Sequence, residues 1–291
     1  MKGIILAGGA GSRLHPTTLA ISKQMLPVYN KPMIYYPIST LISSGINEIL
    51  IISTPHDISF YKKLFKNSDS LGLKISYCVQ ENPNGLAEAF IIGEDFIGND
   101  AVCLILGDNI FYGSNLYKTI KFSIENTKNS NCANIFGYSV NDPERFGVAE
   151  IDNNNNVLSI EEKPSNPKSN YAIVGLYCYP SNVVKKAKTV LPSDRGELEI
   201  SSLNNIYLDE KNLKINILNK NVIWFDTGTF DSMLDASNEI KNIELKNKTL
   251  VGCFEEACLG SNFLTEKELK LYLKDNYSSN SYFQYLNNLT S

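Results

Sequence analysis

The sequence predicts an α/β fold: a mostly parallel, mixed sheet flanked by helices, with a helical C-terminal extension. Three observations predict it. Short apolar runs alternate with helical patterns through the first third of the chain. Those runs are nearly continuous rather than polar at every second position, as in strands covered on both faces. After Thr229, helical periodicity dominates.

The elements follow in order. Gly3–Ala7 reads as a strand that runs into Gly8-Gly9. Pro32–Ser44 has helical spacing, with Pro37 expected to mark an early turn or a kink. Glu48–Ser53 is an isoleucine-rich strand between Gly45 and Pro55. Ser59–Phe65 reads as helix, Lys74–Val79 as strand, Gly85–Phe96 as helix and Ala101–Leu106 as a buried strand. The middle of the chain differs. Ala133–Val140, Gly147–Asp152, Val157–Glu162 and Tyr171–Tyr179 are four strand-like runs. Asn153–Asn156 is expected to form a hairpin turn, because Asn tolerates left-handed geometry. Val183–Ala187 and Glu199–Glu210 are helical, and Ile215–Leu218 and Val222–Phe225 are strands. Phe230–Glu244 and Glu266–Lys274 are helices, and a polar Ser/Asn-rich tail follows Asn276.

Composition narrows the function classes. Among 291 residues, 27 Lys and Arg face 31 Asp and Glu, a net charge of −4 with no basic block, so nucleic acid is not an expected partner. No run approaches a membrane span, and the N-terminus does not read as a signal peptide, so a cytoplasmic location is expected. Six scattered cysteines with no C-x-x-C pair, and two histidines, argue against structural zinc and against a disulfide framework.

The chemistry is expected at strand ends. Gly8-Gly9-Ala10-Gly11-Ser12-Arg13 follows the first strand and lets backbone N–H groups approach an anion, with Arg13 adding charge. Its spacing is neither a dinucleotide fingerprint nor a Walker loop, and alone it could be a plain turn. Lys23 supplies a second cation for one polyphosphate. Asp108 and Asp226 each stand just past an apolar strand, where open α/β sheets form their ligand crevice. Either could be a capping or turn residue; together with a polyphosphate they suggest a shared Mg²⁺. Strict alternation along Val157–Glu162 would put Glu161 and Lys163 on one face and Glu162 on the other, unless the strand ends before Pro164.

Taken in order, several blocks resemble the sugar-1-phosphate nucleotidyltransferases, most nearly the short bacterial glucose-1-phosphate thymidylyltransferases. They are Gly8–Thr18, Lys23–Val28, Lys31–Pro37, Leu106–Gly113, Asn141–Val148, Glu161–Pro164, Lys168–Ala172, Arg195–Ile200 and Trp224–Thr229. The resemblance implies a Rossmann-like nucleotidyltransferase fold over residues 1–240, with a nucleotide part near 1–110 and a sugar part near 111–228. A helical extension over 241–291 would serve oligomerisation or regulation. It implies transfer of a nucleotidyl group from dTTP to glucose 1-phosphate by direct displacement, with no covalent intermediate, in a homotetramer. Arg13 and Lys23 would hold the triphosphate, Lys163 the sugar phosphate, and Asp108 and Asp226 the Mg²⁺. Leu6, Gly8, Gly9, Gly11 and Ser12 would surround the nucleotide. Gln24, Gln80, Gly85, Leu86 and Asp108 would complete that site, with Gln80 reading the base. Asn109, Phe146, Gly147, Val174 and Trp224 fall at sugar-site positions, as do Glu162, Lys163 and Glu199. A sugar-facing Glu162 would break the strict alternation. Phe146 stands where the family usually has Tyr, and Ser201-Ser202 where it has Thr-Asp, which leaves the sugar preference open. The same chemistry with UTP or another sugar phosphate, and a non-catalytic nucleotide-sugar sensor, are the competing readings.

Overall fold

The computed structural model describes residues 1–9, 11–276 and 279–290; Ala10 of the first loop and residues 277, 278 and 291 of the tail lie outside the described residues. The first third contains β1 (Lys2–Ala7), the short pair β2 (Pro27–Val28) and β3 (Lys31–Pro32), α1 (Tyr35–Ser43) and β4 (Glu48–Ser53). It continues with α2 (Ile58–Leu64), β5 (Lys74–Val79), α3 (Glu88–Ile92), α4 (Glu94–Ile97) and β6 (Val102–Leu106). Then come β7 (Asn109–Gly113), α5 (Leu116–Ser130), β8 (Ala133–Ser139), β9 (Gly147–Ile151), β10 (Val157–Glu162) and β11 (Tyr171–Tyr179). The last part holds α6 (Val183–Ala187), α7 (Ile200–Asp209), β12 (Leu213–Ile217), β13 (Val222–Asp226), α8 (Phe230–Asn247), α9 (Phe254–Gly260), α10 (Glu266–Asn276) and α11 (Ser281–Asn288).

The main sheet has nine strands among the described residues. Its path is β10-β9-β11-β6-β1-β4-β5, with β8 paired to both β11 and β12. β6, β1, β4 and β5 are mutually parallel, as the nearly continuous apolar sequences of the first three lead one to expect. β11 joins this block antiparallel to β6 and carries β8 and β9 as further antiparallel partners. Its register shifts between Ile173 and Tyr177, which lets one long strand serve neighbours on both sides. One layer of core packs α1, α5 and the C-terminal helices on one face of the sheet; the other packs α3, α6 and α7 on the opposite face. No helix among the described residues is long and apolar enough to cross a membrane. All six cysteines are free thiols, and five of them are buried.

Several elements differ from the sequence reading for identifiable reasons. Pro37 sits in the first turn of α1, where its missing N–H has no intrahelical partner to lose, so the helix is not kinked there. The expected helix Gly85–Phe96 is two short helices meeting at Gly93. β7, α5 and α9 were not anticipated. α5 is amphipathic, with Leu116, Ile120 and Ile124 buried along one stripe. The tail after Asn276 contains α11, which docks rather than trailing in solvent. Asp152 accepts hydrogen bonds from the backbone N–H of Asn154 and Asn156, and Asn155 is left-handed (φ 60°), so the Asn-rich run is the expected turn. α8 runs unbroken from Phe230 to Asn247.

The C-terminal helices share the main core. The Phe254 ring packs edge-on to Tyr35 (4.9 Å) and Phe65 (5.6 Å). Glu244 of α8 is buried and holds Lys31 at 2.7 Å, the Asn30 amide at 2.8 Å and the Val251 N–H at 2.8 Å. On α11, Tyr282 and Tyr285 donate to Glu255 and Glu256 of α9. Burial is the main cause that pushes the Glu255 carboxyl from 4.5 up to about 7, with the Tyr282 hydroxyl and the more distant Lys31 opposing it.

The folded chain therefore keeps the Glu255 proton to higher pH than the unfolded chain does. Its contribution to stability is full below about pH 4.5 and is lost as pH rises through about 7. Stability should fall by roughly 3 kcal/mol across that window from this group alone. Urea unfolding at a series of pH values checks it: Glu255→Gln should flatten the fall, and parallel curves for the two proteins would contradict the assignment.

Candidate active site

The site forms where the parallel strands end. β1 finishes at Ala7 and turns into the glycine loop, in which Gly9 (φ 92°) and Gly11 (φ 58°) adopt left-handed backbone. A single 3₁₀ turn, Ser12–Leu14, follows; Leu14 is buried and anchors it, so Arg13 beside it projects outward. A second 3₁₀ turn, Lys23–Met25, buries Lys23 and Gln24 against the end of the sheet.

β6 ends at Leu106 and delivers Asp108. Lys23 Nζ lies 2.7 Å from Asp108 Oδ2, and Asn109 Nδ2 donates to Asp108 Oδ1 at 3.1 Å. Burial opposes ionisation of Asp108, but the Lys23 ammonium and the Asn109 amide outweigh it and hold this carboxyl below the usual range. Asp226 arrives from the end of β13, whose pairing with β7 sets Asp226 opposite Asn109. Thr227 then closes onto Asp108, its hydroxyl donating to the Asp108 carbonyl at 2.7 Å. Burial and the neighbouring Asp108 charge raise the Asp226 carboxyl above its ordinary value; Lys23, Arg13 and Arg145 work against that rise. Arg145 Nη2 is 3.7 Å from Asp226 Oδ2.

Two adjoining cavities share Leu86, Leu106, Asp108 and Glu197 in their walls. The smaller, about 190 Å³, is lined by Leu6, Gly8, Gly9, Gln24, Gln80 and Gly85 besides the shared residues. Gln80 is buried and donates to Glu88 at 2.7 Å and to the Gly85 carbonyl at 3.3 Å. Gly85 has φ 110°, and a Cβ there would lie 2.5 Å from both N and O of Leu198. Only glycine lets the loop after β5 lie against the segment before α7. Backbone bonds join the two: Leu198 N–H to Asn84 O at 2.6 Å and Ala87 N–H to Leu198 O at 3.1 Å.

The larger cavity, about 260 Å³, takes in Arg13, Asn109, Phe146, Gly147, Glu162, Lys163, Glu199, Trp224 and Asp226. Asn109 is buried; its Oδ1 accepts from the Trp224 indole N–H (2.7 Å) and the Gly175 N–H (3.0 Å). The Trp224 ring packs against Phe146 at 5.2 Å. Glu162 accepts from the Ser201 hydroxyl at 2.8 Å, and Glu199 accepts from Ser193 (2.7 Å) and Arg195 (2.8 Å). Lys163 has φ 44° directly after the last residue of β10. That left-handed step ends the strict alternation, so Glu162 and Lys163 both face the cavity while Glu161 pairs with Lys168 at 2.7 Å.

Four expected residues stand apart from these walls. Val174 is fully buried in the core; alternation along β11 presents Ile173 and Gly175 to the cavity instead. Gly11 and Ser12 belong to the first loop without lining either cavity. Lys23 meets the site through Asp108. The structure adds Arg145, Arg195, Glu197 and Tyr177, to which the sequence reading gave no role. Arg145 and Arg195 lie inside blocks that carry the family resemblance, so the block pattern was the available signal for both.

Asp108 and Asp226 offer hard oxygen donors with mutual repulsion to relieve, which suits a small divalent cation. Among the described residues no group of three or more metal-ligating side chains occurs, so phosphate oxygens and water would have to complete the coordination.

The profile of the nucleotidyl transferase family matches residues 2–243. The glucose-1-phosphate thymidylyltransferase of Neisseria gonorrhoeae is 48% identical over 98% of both chains. That of Mycolicibacterium smegmatis is 46% identical over 94% of both. A crystal structure from Bacillus anthracis, described as a glucose-1-phosphate thymidylyltransferase with a bound sucrose, superimposes with TM-score 0.75 at 41% identity, covering 82% of this chain and 94% of the other. A UDP-glucose pyrophosphorylase bound to UDP-glucose shares the fold at 22% identity, with TM-score 0.72 over 83% of this chain and 98% of its own. With strand-end carboxylates, a glycine loop and two adjoining cavities already in place, these matches over nearly the whole length make the chain a member of the nucleotidyl transferase family.

Proposed function

We propose that the protein transfers a thymidylyl group from dTTP to α-D-glucose 1-phosphate, yielding dTDP-glucose and pyrophosphate. The observation that carries this reading is the position of Asp108 in the walls of both cavities, with Asp226 near it in the wall of the larger one. One cavity is walled by glycines and glutamines, the other by sugar-sized aromatic and carboxylate groups. The nucleotide would occupy the first, with Gln80 presenting an amide to the base edge. The sugar would occupy the second, where Glu162 and Glu199 accept from its hydroxyls.

A phosphate oxygen of glucose 1-phosphate attacks the α-phosphorus of dTTP, and the bond to the β-phosphate breaks as pyrophosphate leaves. No protein nucleophile is needed, so the chain's work is positioning and charge neutralisation. Arg13 holds the triphosphate and the departing pyrophosphate, and Lys23 adds its positive charge from behind Asp108. Lys163, on its left-handed step, holds the sugar phosphate against the α-phosphorus. Arg195, at the same rim, is at present shared among Glu199, Glu162 and Glu197. Asp108 and Asp226 would hold Mg²⁺, which when bound supplies charge neutralisation at the phosphate oxygens. The low-pKa Asp108 and its Lys23 partner keep one carboxylate ionised before any cation arrives. A homotetramer acting in the cytoplasm, with residues 241–291 serving assembly or regulation, completes the proposal and rests on the family resemblance.

Pyrophosphate release, with dTTP and UTP each crossed against glucose 1-phosphate and other sugar phosphates, tests the reading. Fast release with dTTP and glucose 1-phosphate is expected; release only with another sugar would move the specificity onto Phe146 and the Ser201-Ser202 pair, of which Ser201 lines the larger cavity. Arg13→Ala and Lys163→Ala should each lower kcat/KM by about 10²–10³-fold with little change in melting temperature. A loss of less than about tenfold in either would remove that residue from the mechanism. Gly85→Ala should disturb both sites, because the added Cβ must displace the Leu198 backbone. KM should rise for dTTP and for glucose 1-phosphate together, and steady-state kinetics in each substrate would reveal a change confined to one of them.

A further inference from the structure

Beneath the glycine loop lies a buried polar chain that the reaction does not use directly. Tyr61 of α2 is fully buried, and Ser22 and Gln24 are nearly so. Ser22 Oγ is 2.6 Å from Gln24 Oε1 and 2.7 Å from the Tyr61 hydroxyl. Gln24 Nε2 is 3.3 Å from the Gly8 carbonyl.

The polarity of this chain is determined by what each group can do. The Gly8 carbonyl only accepts, so the nitrogen of the Gln24 amide must face it and the oxygen must face Ser22. Ser22 has one proton, and it goes to Gln24 Oε1. The Ser22 oxygen then accepts from Tyr61, which must donate. Burial pushes the Tyr61 phenol well up, so it keeps the proton it donates. Nε2 has a second N–H with no partner among the described residues, and Gln24 lines the smaller cavity beside Gly8 and Gln80.

We infer that Tyr61 and Ser22 are positioning residues that orient the Gln24 amide. They turn its nitrogen toward the nucleotide cavity, so that the site presents a donor there and selects a nucleotide with an acceptor oxygen at that point. The inference rests on the nucleotide reading of this cavity. Without Ser22 and Tyr61, only the long 3.3 Å bond to the Gly8 carbonyl would hold the amide, and the oxygen end would have no donor to fix it. The relay fixes that end before the nucleotide arrives, which lowers the cost of ordering on binding.

The test measures dTTP binding by calorimetry and steady-state kinetics on Tyr61→Phe, Ser22→Ala, the double variant and Ser22→Thr. Each single variant should weaken dTTP binding by roughly 3–10-fold, and the double variant no more than the worse single one, because both break the same relay. Ser22→Thr, which keeps a hydroxyl, should restore binding. The kcat and the KM for glucose 1-phosphate should stay within about twofold, a split that general loosening of the fold would not produce. Tyr61→Phe removes one oxygen only, and Ser22→Ala provides an independent break should that variant misfold. Unchanged dTTP affinity in folded variants would overturn the relay, as would effects that multiply in the double variant or fall equally on glucose 1-phosphate. An unaltered protein that does not bind dTTP would overturn the nucleotide reading and this inference with it.

Discussion

Two carboxylates of like charge must be kept side by side at the end of a buried sheet, and Asn109 is the residue through which the structure does it. Its amide nitrogen donates to Asp108, while its oxygen accepts from the Gly175 N–H of β11 and the Trp224 indole of β13. One buried side chain thus ties the parallel half of the sheet, the antiparallel half and the separate β7–β13 ribbon to a single point. A buried amide with its hydrogen bonds met resists any shift that would leave one unmet. Asp108 is held ionised by Lys23, and Asp226 is pressed toward its neutral form by burial and by Asp108. A cation bound between them would relieve that pressure.

The same logic governs the cavities on either side. Neither is built from one stretch of chain. The loop after β5 and the segment before α7 are joined by backbone hydrogen bonds at Asn84, Ala87 and Leu198. Glu197, in that segment, borders both cavities. Disturbance on one side is therefore transmitted to the other through backbone rather than through flexible side chains. The C-terminal helices, in contrast, contribute no wall to either cavity. They complete the core beneath α1 and are tethered by polar contacts at the buried Glu244 and Glu255 and the half-buried Glu256.

Much of the fold was legible because local signals and burial agreed. The runs of β1, β4 and β6 carry polar residues only at their ends (Lys2, Glu48 and Ser53), so their apolar middles read as strands covered on both faces. Pro37 misled slightly, since a proline in a first helical turn and one at a kink look alike in sequence. β7 and β13 form a ribbon whose partners lie far apart in the chain, and such pairing leaves no local trace. α11 was hidden by the Ser and Asn residues around it: Tyr282, Phe283 and Leu286 reach the core, and its two tyrosines also donate to two glutamates of α9.

The sequence by itself determined the α/β class, the glycine loop and the charged residues at strand ends, because each rests on local chain chemistry or on an ordered set of motifs. Only the tertiary structure decided which residues share a cavity. Val174 and Glu162 show the difference. Both carried an expectation from resemblance, but alternation along β11 turns Val174 into the core, whereas a left-handed step at Lys163 lets Glu162 and Lys163 face the same space. The orientation of the Gln24 amide belongs to this second kind as well. It depends on Tyr61 and Gly8, distant in sequence, because a hydrogen bond has a direction that only its assembled partners can set.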